Sequence, residues 1–404
     1  MNNRTRLQSL DVLRGMTVAG MILVNNGYGE SFEMLQHSKW NGMTPCDLVF
    51  PFFLFIMGVS CYLSLSKSGF TATRPVLIKV VRRTVLLFAI GLIINWFDHA
   101  IEGDLLCFGH LRIWAVMQRI ALCYFFVSLF ALYVSHRYII HAVLGLLVVY
   151  TVILLLGNGY AEDASTNILA QVDLRLFGYD HLYHKSPVDP EGLVGTISSV
   201  AHVLLGFYCG KCIKEQGVRG ENSDDARRRQ LVAIFTLGAV CVIVGYLLSF
   251  GLPLNKRIWS PSYVFMTCGL CALLLALLIN EEGIARRSQL RMKNEEGIAR
   301  RSQFATAIPA PESADGTAAA DSSFFILHSS FFRVFGINAL ALYVGSELLA
   351  ILFAHFGINT VIYDALHVVI PAAKWASLAY ALTFVGINYL LGYFLYKRHI
   401  MIKL

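Results

Sequence analysis

Charged residues are scarce in this chain of 404 residues. Asp, Glu, Lys and Arg together make up 15% of it, whereas soluble globular proteins carry roughly 25%. Hydrophobic residues make up 56%, and the mean hydropathy is +0.60. So little charge cannot cover a soluble surface, which excludes a soluble enzyme and a DNA-binding domain. The net charge of +7 does not indicate nucleic acid, because the cations form short clusters between apolar runs. The composition predicts a membrane protein.

Several motifs with known chemistry are also missing from the sequence. It has no Gly-rich phosphate loop, no GxSxG, no HExxH and no histidine cluster with metal-ligand spacing, which excludes hydrolases of familiar type. The nine cysteines lie mostly inside apolar runs rather than in loops, where a disulfide framework would form. Two CxxC pairs, Cys209/Cys212 and Cys268/Cys271, fall within predicted membrane helices, so we interpret them as packing residues. We predict that the protein binds no metal.

Apolar segments long enough to cross a bilayer, which takes about 20 residues of helix, recur along the chain. We predict an all-α, polytopic integral membrane protein with ten transmembrane helices in a single domain over 1–404. The ten segments are 12–27, 46–66, 76–97, 113–134, 138–156, 193–213, 231–250, 262–280, 334–356 and 376–396.

An even number of spans places both termini on the same side of the membrane. All but eight of the 33 Lys and Arg residues fall on that side. Cations accumulate on the cytoplasmic side of membrane proteins, so both termini are predicted to be cytoplasmic. The eight cations on the other side are Lys39, Arg112, Arg119, Arg175, Lys185, Lys256, Arg257 and Lys374.

Two loops are long enough to hold structure of their own. The outer loop 157–192 is polar and aromatic, and we expect either a cap over an extracytoplasmic pocket or an ordinary surface loop. The inner loop 281–333 contains a direct repeat, in which residues 280–289 recur at 294–303, followed by an Ala/Pro/Ser-rich stretch. We interpret 281–333 as a largely disordered cytoplasmic insertion. The polar amino terminus predicts no cleavable signal peptide.

Polar groups at membrane depth are costly unless they face a partner or a cavity, so they are the first candidates for function. Asn25 and Asn26 end the first predicted span, and Asp47 opens the second. Arg119 and Glu347 are lone charges within their segments, and we predict that they pair. Other such residues are Asn95, Gln118, His202, Asn338 and His355.

His37 is the leading candidate for chemistry. Imidazole takes and returns protons near neutral pH. The residue lies between Asn25 and Asp47, which can both hydrogen-bond an imidazole, and a carboxylate would fix the tautomer of the ring. The loop is long enough to bring the three side chains together.

The motifs around these residues closely resemble those of the heparan-α-glucosaminide N-acetyltransferase family, whose members move acetyl from cytosolic acetyl-CoA to a glucosamine amine across a membrane. The likeness covers nearly the whole chain except the inner insertion. It is carried by LDVLRG at 10–15, VN at 24–25, HSKWNGMT at 37–44, DLVFP at 47–51, QR at 118–119, DHLY at 180–183, DPEGLVGT at 189–196, PLNKRIWS at 253–260 and YKR at 396–398.

The resemblance implies a set of site residues. His37 corresponds to the active histidine of the family, Asn25 to its asparagine partner and Asp47 to its acidic residue, with Asn26 as the alternative to Asn25. His37 would act as a general base within a ternary complex or as the nucleophile that carries acetyl. Asn25 would orient His37 or donate to the thioester oxyanion. Acceptor binding is assigned to Trp40, Asn41, Asp189 and Glu191.

Acetyl-CoA is the donor that the resemblance implies. Its phosphates prevent it from crossing the bilayer, so the nucleotide must dock among cytoplasmic cations. Available cations are Arg14, Lys79, Arg82, Arg83, Lys211 and Lys214. The donor site is assigned to Arg14, Lys79, Arg82, Arg83, Gln118 and Arg119.

Two other functions stay open at this stage. An amino-sugar transporter would also explain buried polar groups, although the sequence shows no inverted repeats or paired broken helices. A purely structural membrane subunit would not explain the cluster around His37. We expect a multi-pass protein of a bacterial-type cell (inner) membrane. Its expected partners are lipid, acetyl-CoA and an amino-sugar acceptor, without nucleic acid, and a homodimer is the assembly left open.

Overall fold

The computed structural model of the protein describes residues 7–218, 223–305 and 330–402. Within these ranges the chain forms thirteen α-helices and short 3₁₀ turns, without a β-strand. The helices are α1 (Gln8–Asn25), α2 (Val49–Leu65), α3 (Arg74–Ile101), α4 (Val116–Tyr133), α5 (Ile139–Leu156), α6 (Ile168–Phe177), α7 (Thr196–Val218), α8 (Ser223–Ser249), α9 (Pro261–Ala305), α10 (Ser330–Ile337), α11 (Ala339–His355), α12 (Ile358–Val369) and α13 (Ala373–Lys397).

Helices α2 and α7 form the centre of the bundle. Gly58 of α2 lies against Val203 of α7, and Gly206 of α7 lies against the backbone of Phe55. A methyl group at either glycine would collide with the facing backbone, so these positions permit the close helix contact that small residues provide in membrane bundles. Around this pair, α8 packs on α9, α3 on α4, and α1 on α10.

Seven helices of the described residues are long and apolar enough to cross a membrane. They lie within Pro45–Ser68, Val116–Tyr133, His136–Leu156, Thr196–Glu215, Asp225–Ser249, Pro261–Ile284 and Ala373–Lys397. A bent pair, Phe331–Ile337 with Ala339–His355, passes the same test only when taken together and has the form of a broken span or of a re-entrant loop. The seven helices match seven of the ten predicted segments and the bent pair covers an eighth, 334–356, which is consistent with a polytopic helical membrane protein. Helices α1 and α3 cover the other two segments but are not among the seven, so the count of ten stays a prediction.

The bent pair turns by 92° at Asn338. A break of this kind frees backbone groups that need new partners. The Asn338 side chain lies at the break, donating from Nδ2 to the carbonyl of Ile400 at 2.9 Å and accepting from the N–H of Ile402 at 3.0 Å. The break therefore holds the segment that follows α13 against the bundle.

The outer loop 157–192 is folded around Asn167, which is fully buried. Its Oδ1 atom accepts from the N–H of Leu169 and caps α6, and its Nδ2 atom donates to the carbonyls of Gly159 and Ala161. One buried amide thus makes three hydrogen bonds within the loop. The loop is therefore a folded element held by its own hydrogen bonds.

The inner insertion differs from its prediction. Helix α9 continues past the membrane span to Ala305, so residues 281–305 are helical. The repeat in this stretch is rich in Glu, Ala, Arg and Gln, which are strong helix formers, and that composition outweighs the low complexity that predicted disorder. Residues 306–329 lie outside the described residues.

Candidate active site

Asp47 lies at the start of α2, on a short 3₁₀ turn over Pro45–Leu48. Its side chain is fully buried. The Oδ2 atom accepts from the backbone N–H groups of Ser38 and Thr44 and from the Thr44 hydroxyl, each at 3.1 Å. Thr44 and Asp47 form the reciprocal arrangement of a capping box. The carboxylate is therefore held by the loop that carries His37.

His37 pairs with this carboxylate as predicted. The Nδ1 atom of His37 lies 2.7 Å from Oδ1 of Asp47, and 46% of the His37 side chain is exposed. A neutral ring in this geometry donates its Nδ1 proton to the carboxylate, so the lone pair of the ring is on Nε2. The arrangement is that of a histidine base oriented by a carboxylate.

A third charged group that sequence reasoning missed joins this pair. Lys256 follows α8 and places its Nζ atom 3.0 Å from Nδ1 and 3.3 Å from Nε2 of His37. The same atom lies 3.5 Å from Oδ1 of Asp47. The signal that could have found Lys256 is its side of the membrane, because it is one of the eight cations on the cation-poor side of the predicted topology.

Two contacts join the Lys256 loop to the His37 loop. Asn255, which is fully buried, donates from Nδ2 to Oδ1 of Asn41 at 3.2 Å. The backbone N–H of Gly42 donates to the carbonyl of Leu254 at 2.7 Å. Two segments more than 200 residues apart in sequence are thereby fixed side by side.

The His37 ring opens into a cavity of about 190 Å³. Across the cavity, the Arg112 guanidinium donates to Oδ1 of Asp189 and Oε2 of Glu191, both at 3.0 Å. It also lies over the Tyr183 ring, 4.5 Å from the centroid. Burial disfavours the charged guanidinium, but Glu191 and Asp189 outweigh that effect and raise the pKa of Arg112. The lining residues are His37, Ser38, Asp47, Arg112, Tyr183, Lys185, Pro190, Glu191, Lys256 and Arg257.

A second and larger cavity, of about 560 Å³, borders the other half of α2. It runs along α2 from Phe53 to Ser64, about 17 Å of helix. Four of the six residues assigned to the donor site line it, namely Arg14, Lys79, Arg82 and Arg83. Arg14 is held by Oδ1 of Asp11 and Oγ of Ser60 at 2.9 and 2.8 Å. The break between α10 and α11 forms the opposite wall.

Gln118 and Arg119 do not line this cavity. The fully buried Arg119 donates from Nη2 to the carbonyl of Gly192 at 2.9 Å and lies over the Trp259 ring, 5.3 Å from the centroid. The predicted pair between Arg119 and Glu347 is wrong, because Oε1 of Glu347 accepts from Asn25 instead, at 3.4 Å. Aromatic and carbonyl groups thus take the place of a carboxylate beside Arg119.

Lys211 and Lys214, the two other candidate cations, donate to loop carbonyls, those of His136 and Ser66.

Three further predicted site residues lie away from the His37 cavity. The Asn25 side chain contacts Glu347 rather than His37, so the structure unites two of the three predicted catalytic residues. Trp40 is buried and donates from Nε1 to the carbonyl of Tyr160 at 2.9 Å. Asn41 faces Asn255. Trp40 and Asn41 therefore connect loops, while Glu191 lines the cavity and Asp189 supports it through Arg112.

The chain is similar to known proteins of one family. Residues 6–249 match a family model described as heparan-alpha-glucosaminide N-acetyltransferase, catalytic. The heparan-alpha-glucosaminide N-acetyltransferase of Homo sapiens is 31% identical over 320 residues, which covers 64% of this chain and 46% of the human protein. The Mus musculus protein of the same name is 29% identical over 325 residues, with coverages of 65% and 47%. The chain spans about half the length of these curated relatives.

Proposed function

Because the chain belongs to the heparan-alpha-glucosaminide N-acetyltransferase family, we propose that it is a transmembrane acyltransferase, which moves acetyl from acetyl-CoA to an amino-sugar amine on the other side of the membrane. One observation carries the proposal. Two cavities lie along α2, a cationic one beside its carboxyl-terminal part and one with the His37–Asp47 pair at its amino-terminal end.

The cationic cavity fits the nucleotide part of acetyl-CoA. Arg14, Lys79, Arg82 and Arg83 line it, and guanidinium and ammonium groups are the usual partners of phosphate. Its apolar lining along α2 and α3, including Ile56, Met57 and Leu86, suits the uncharged arm that carries the thioester. In the proposal this arm reaches along α2 toward His37.

The smaller cavity fits the acceptor and the chemistry. Nucleophilic attack needs an unprotonated amine. The unprotonated Nε2 atom of His37 can take the proton of the amine while Asp47 stabilises the resulting imidazolium. In the second route, Nε2 attacks the thioester carbonyl, releases CoA thiol and passes acetyl to the amine. The Glu191 carboxylate, across the cavity, suits an amine or hydroxyl of the sugar. A role for Asn25 rests on its match to the family asparagine.

The sidedness of the reaction is part of the proposal. The distribution of Lys and Arg supports cytoplasmic termini, a cytoplasmic donor cavity and an outer acceptor cavity. Acetyl-CoA carries several phosphate charges and cannot cross the bilayer unaided. We place the protein in a bacterial-type cell membrane, with its donor substrate inside and its acceptor outside.

Oriented membrane vesicles test the proposal directly. The vesicles expose the predicted cytoplasmic face and enclose an amino sugar such as glucosamine, and acetyl-CoA labelled in its acetyl group is added outside. The proposal predicts labelled N-acetyl sugar inside, with none formed by vesicles that carry His37→Ala. Product that forms only when both substrates share one compartment would contradict transmembrane transfer.

One observation keeps the transporter as a second candidate. The bend of 92° between α10 and α11 resembles the broken helices that bind solutes in transporters, although those occur in pairs in two halves of the fold. The described residues contain one such pair. The same vesicles distinguish the functions, because a transporter would move labelled glucosamine across the membrane without acetyl-CoA.

A further inference from the structure

The Lys256 ammonium is the closest positive charge to the His37 ring. Its Nζ atom lies within 3.3 Å of both ring nitrogens and 3.5 Å from Asp47. We propose that Lys256 is a positioning residue that keeps His37 uncharged, so that the ring can accept a proton or attack a thioester. The inference rests on the role of His37 in the proposed acetyl transfer and adds a residue that lies beyond the family-model match, which ends at 249.

The physical argument starts from Asp47. A buried carboxylate 2.7 Å from an imidazole stabilises the charged ring, and an imidazolium has no lone pair for a base or a nucleophile. A positive charge at 3.0–3.3 Å has the opposite effect, because like charges repel. Lys256 also offsets the charge of Asp47 itself. With both partners in place, Asp47 orients the ring, and Lys256 favours its uncharged form before the substrate proton arrives.

The position of Lys256 is fixed by its neighbours. Oδ1 of Asn255 accepts from the N–H groups of Arg257 and Ile258 at 2.8 and 3.2 Å, which shapes the turn. The Nδ2 atom of the same buried side chain binds Asn41, four residues after His37. The turn that carries Lys256 is thus anchored on the loop that carries the ring. The two anchored loops thus hold Lys256 at a fixed distance from the His37 ring, as the proposed role requires.

Other titratable groups near His37 are farther away or neutralised. The Cys46 thiol lies 3.1 Å from Nδ1 and is buried, which disfavours a charged thiolate. Arg112 is paired with Asp189 and Glu191. Among the described residues, Asp47, Cys46 and Lys256 make the polar contacts to the ring. Groups that face it across the cavity without such a contact are Arg112, Tyr183, Lys185, Glu191 and Arg257.

Chemical modification measures the protonation of His37 without any turnover. Diethyl pyrocarbonate reacts with uncharged imidazole, and mass spectrometry of the His37 peptide gives the rate at each pH in the purified full-length protein. In Lys256→Gln, the midpoint of this pH dependence should rise by about one pH unit or more. The reason is that the Asp47 carboxylate then stabilises the charged ring without an opposing positive charge. Lys256→Arg should restore the wild-type midpoint.

Lys39→Gln is the matched control. Lys39 is an exposed cation two residues after His37, so its removal changes the charge of the loop equally while leaving the ring contacts in place. A midpoint in Lys256→Gln equal to that of the wild type would overturn the inference. So would an equal shift in Lys39→Gln, because the effect would then be one of general charge. If Lys256→Gln is obtained only as unfolded protein, a Lys256→Arg midpoint that differs from wild type by a full unit would overturn it as well.

Acetyl transfer provides the second measurement. The acid limb of kcat/KM should move to higher pH in Lys256→Gln by the same amount as the modification midpoint, with Lys256→Arg within about threefold of wild type. The two failures are distinguishable. If the wild-type protein transfers no acetyl but Lys256→Gln still shifts the modification midpoint, the proposed function is wrong and the effect of Lys256 on His37 stands. If the wild-type protein transfers acetyl but neither the midpoint nor the acid limb shifts in Lys256→Gln, the proposed role of Lys256 is wrong.

Discussion

The Nδ1 atom of His37 and the Oδ1 atom of Asp47 are 2.7 Å apart, and the second carboxylate oxygen is bound by Ser38 and Thr44. The carboxylate therefore cannot rotate away without breaking three other hydrogen bonds. This local network fixes the imidazole beside the cavity at the start of α2. Substitutions of its members therefore test the candidate site most directly.

Replacing His37 with Ala should abolish acetyl transfer. General-base catalysis contributes about 10²–10⁴-fold, so we expect a loss of at least that size with a normal yield of folded protein, since the side chain is nearly half exposed. His110→Ala is the control, because His110 is also exposed and lies 2.9 Å from an aspartate, Asp104. Steady-state rates with purified protein decide the matter. A folded His37→Ala protein with wild-type turnover would remove His37 from the mechanism.

Asp47→Asn should lower kcat by about 10²-fold or more while the KM for acetyl-CoA changes little. The amide cannot stabilise an imidazolium, and the residue does not line the donor cavity. Thr44→Ala separates this effect from helix capping, since it removes the hydroxyl that contacts Oδ2 of Asp47 and the Gln36 carbonyl, a loss of about 1 kcal/mol for a cap, and keeps the carboxylate. Weaker binding of acetyl-CoA with unchanged kcat would contradict the assigned role, as would equal losses in both variants.

The His37–Asp47 pair could be predicted because its members are ten residues apart in a single loop. Lys256 could not, since its contact with His37 depends on how the turn after α8 packs against the loop after α1. Its position among the eight cations on the predicted outer side is the one sequence signal that could have drawn attention to it. Arg14, Lys79, Arg82 and Arg83, which line one cavity, could be grouped from the sequence, because the charge distribution predicts the same membrane face for all four.

Side-chain partners on distant helices could not be predicted from the sequence. Arg119 and Glu347 were matched by charge, but the structure satisfies Arg119 with the Gly192 carbonyl and the Trp259 ring. Carbonyl dipoles and aromatic faces compete with carboxylates as partners of a buried guanidinium, and composition cannot show which is near. The α-helical class and seven of the predicted spans followed from hydropathy, whereas the bend at Asn338 could be seen only in the structure.

The donor cavity can be tested through two exposed cations of α3, Lys79 and Arg82. Replacing both with Gln should raise the KM for acetyl-CoA by about tenfold or more, since each charge-assisted hydrogen bond is worth roughly 1.5–3 kcal/mol. The kcat at saturating donor should stay within about twofold. The matched control replaces Lys67 and Arg74, which are exposed nearby and do not line the cavity. Equal increases in KM for the two double variants would indicate a general effect of surface charge.

Asp173 should make the stability of the protein depend on pH. Burial, helped by the nearby Asp189, raises the pKa of Asp173 to about 6 against the lowering effects of the Leu193 N–H and of Arg119. The folded protein therefore holds a proton that the unfolded chain, with a pKa near 3.8, releases. Stability is highest below about pH 4 and falls as the pH rises to about 6, by at most about 3 kcal/mol.

Thermal unfolding in detergent between pH 4 and 7 measures this effect. Asp173→Asn should flatten the decrease in melting temperature with rising pH, because the amide is uncharged throughout. Asp163→Asn is the comparison, since Asp163 is exposed in the same loop and its pKa is lowered by hydrogen bonds from Ser165. A decrease of the same slope in Asp173→Asn and in wild type would assign the pH dependence to other groups.

Deleting residues 290–320 should leave acetyl transfer within about twofold of wild type. The deletion keeps Glu282, whose Oε2 atom accepts from the N–H of Ser9 at 3.0 Å, and it keeps the contact of Phe332 with Gly15. Ser9 and Gly15 are about 9 Å apart along α1, and the retained residues 285–289 and 321–329 can span well over 30 Å. Helices α9 and α10 can therefore keep their places on α1.

The oriented-vesicle assay and the melting temperature measure the effect of this deletion. A folded deletion protein without activity would show that residues 290–320 contribute to donor binding.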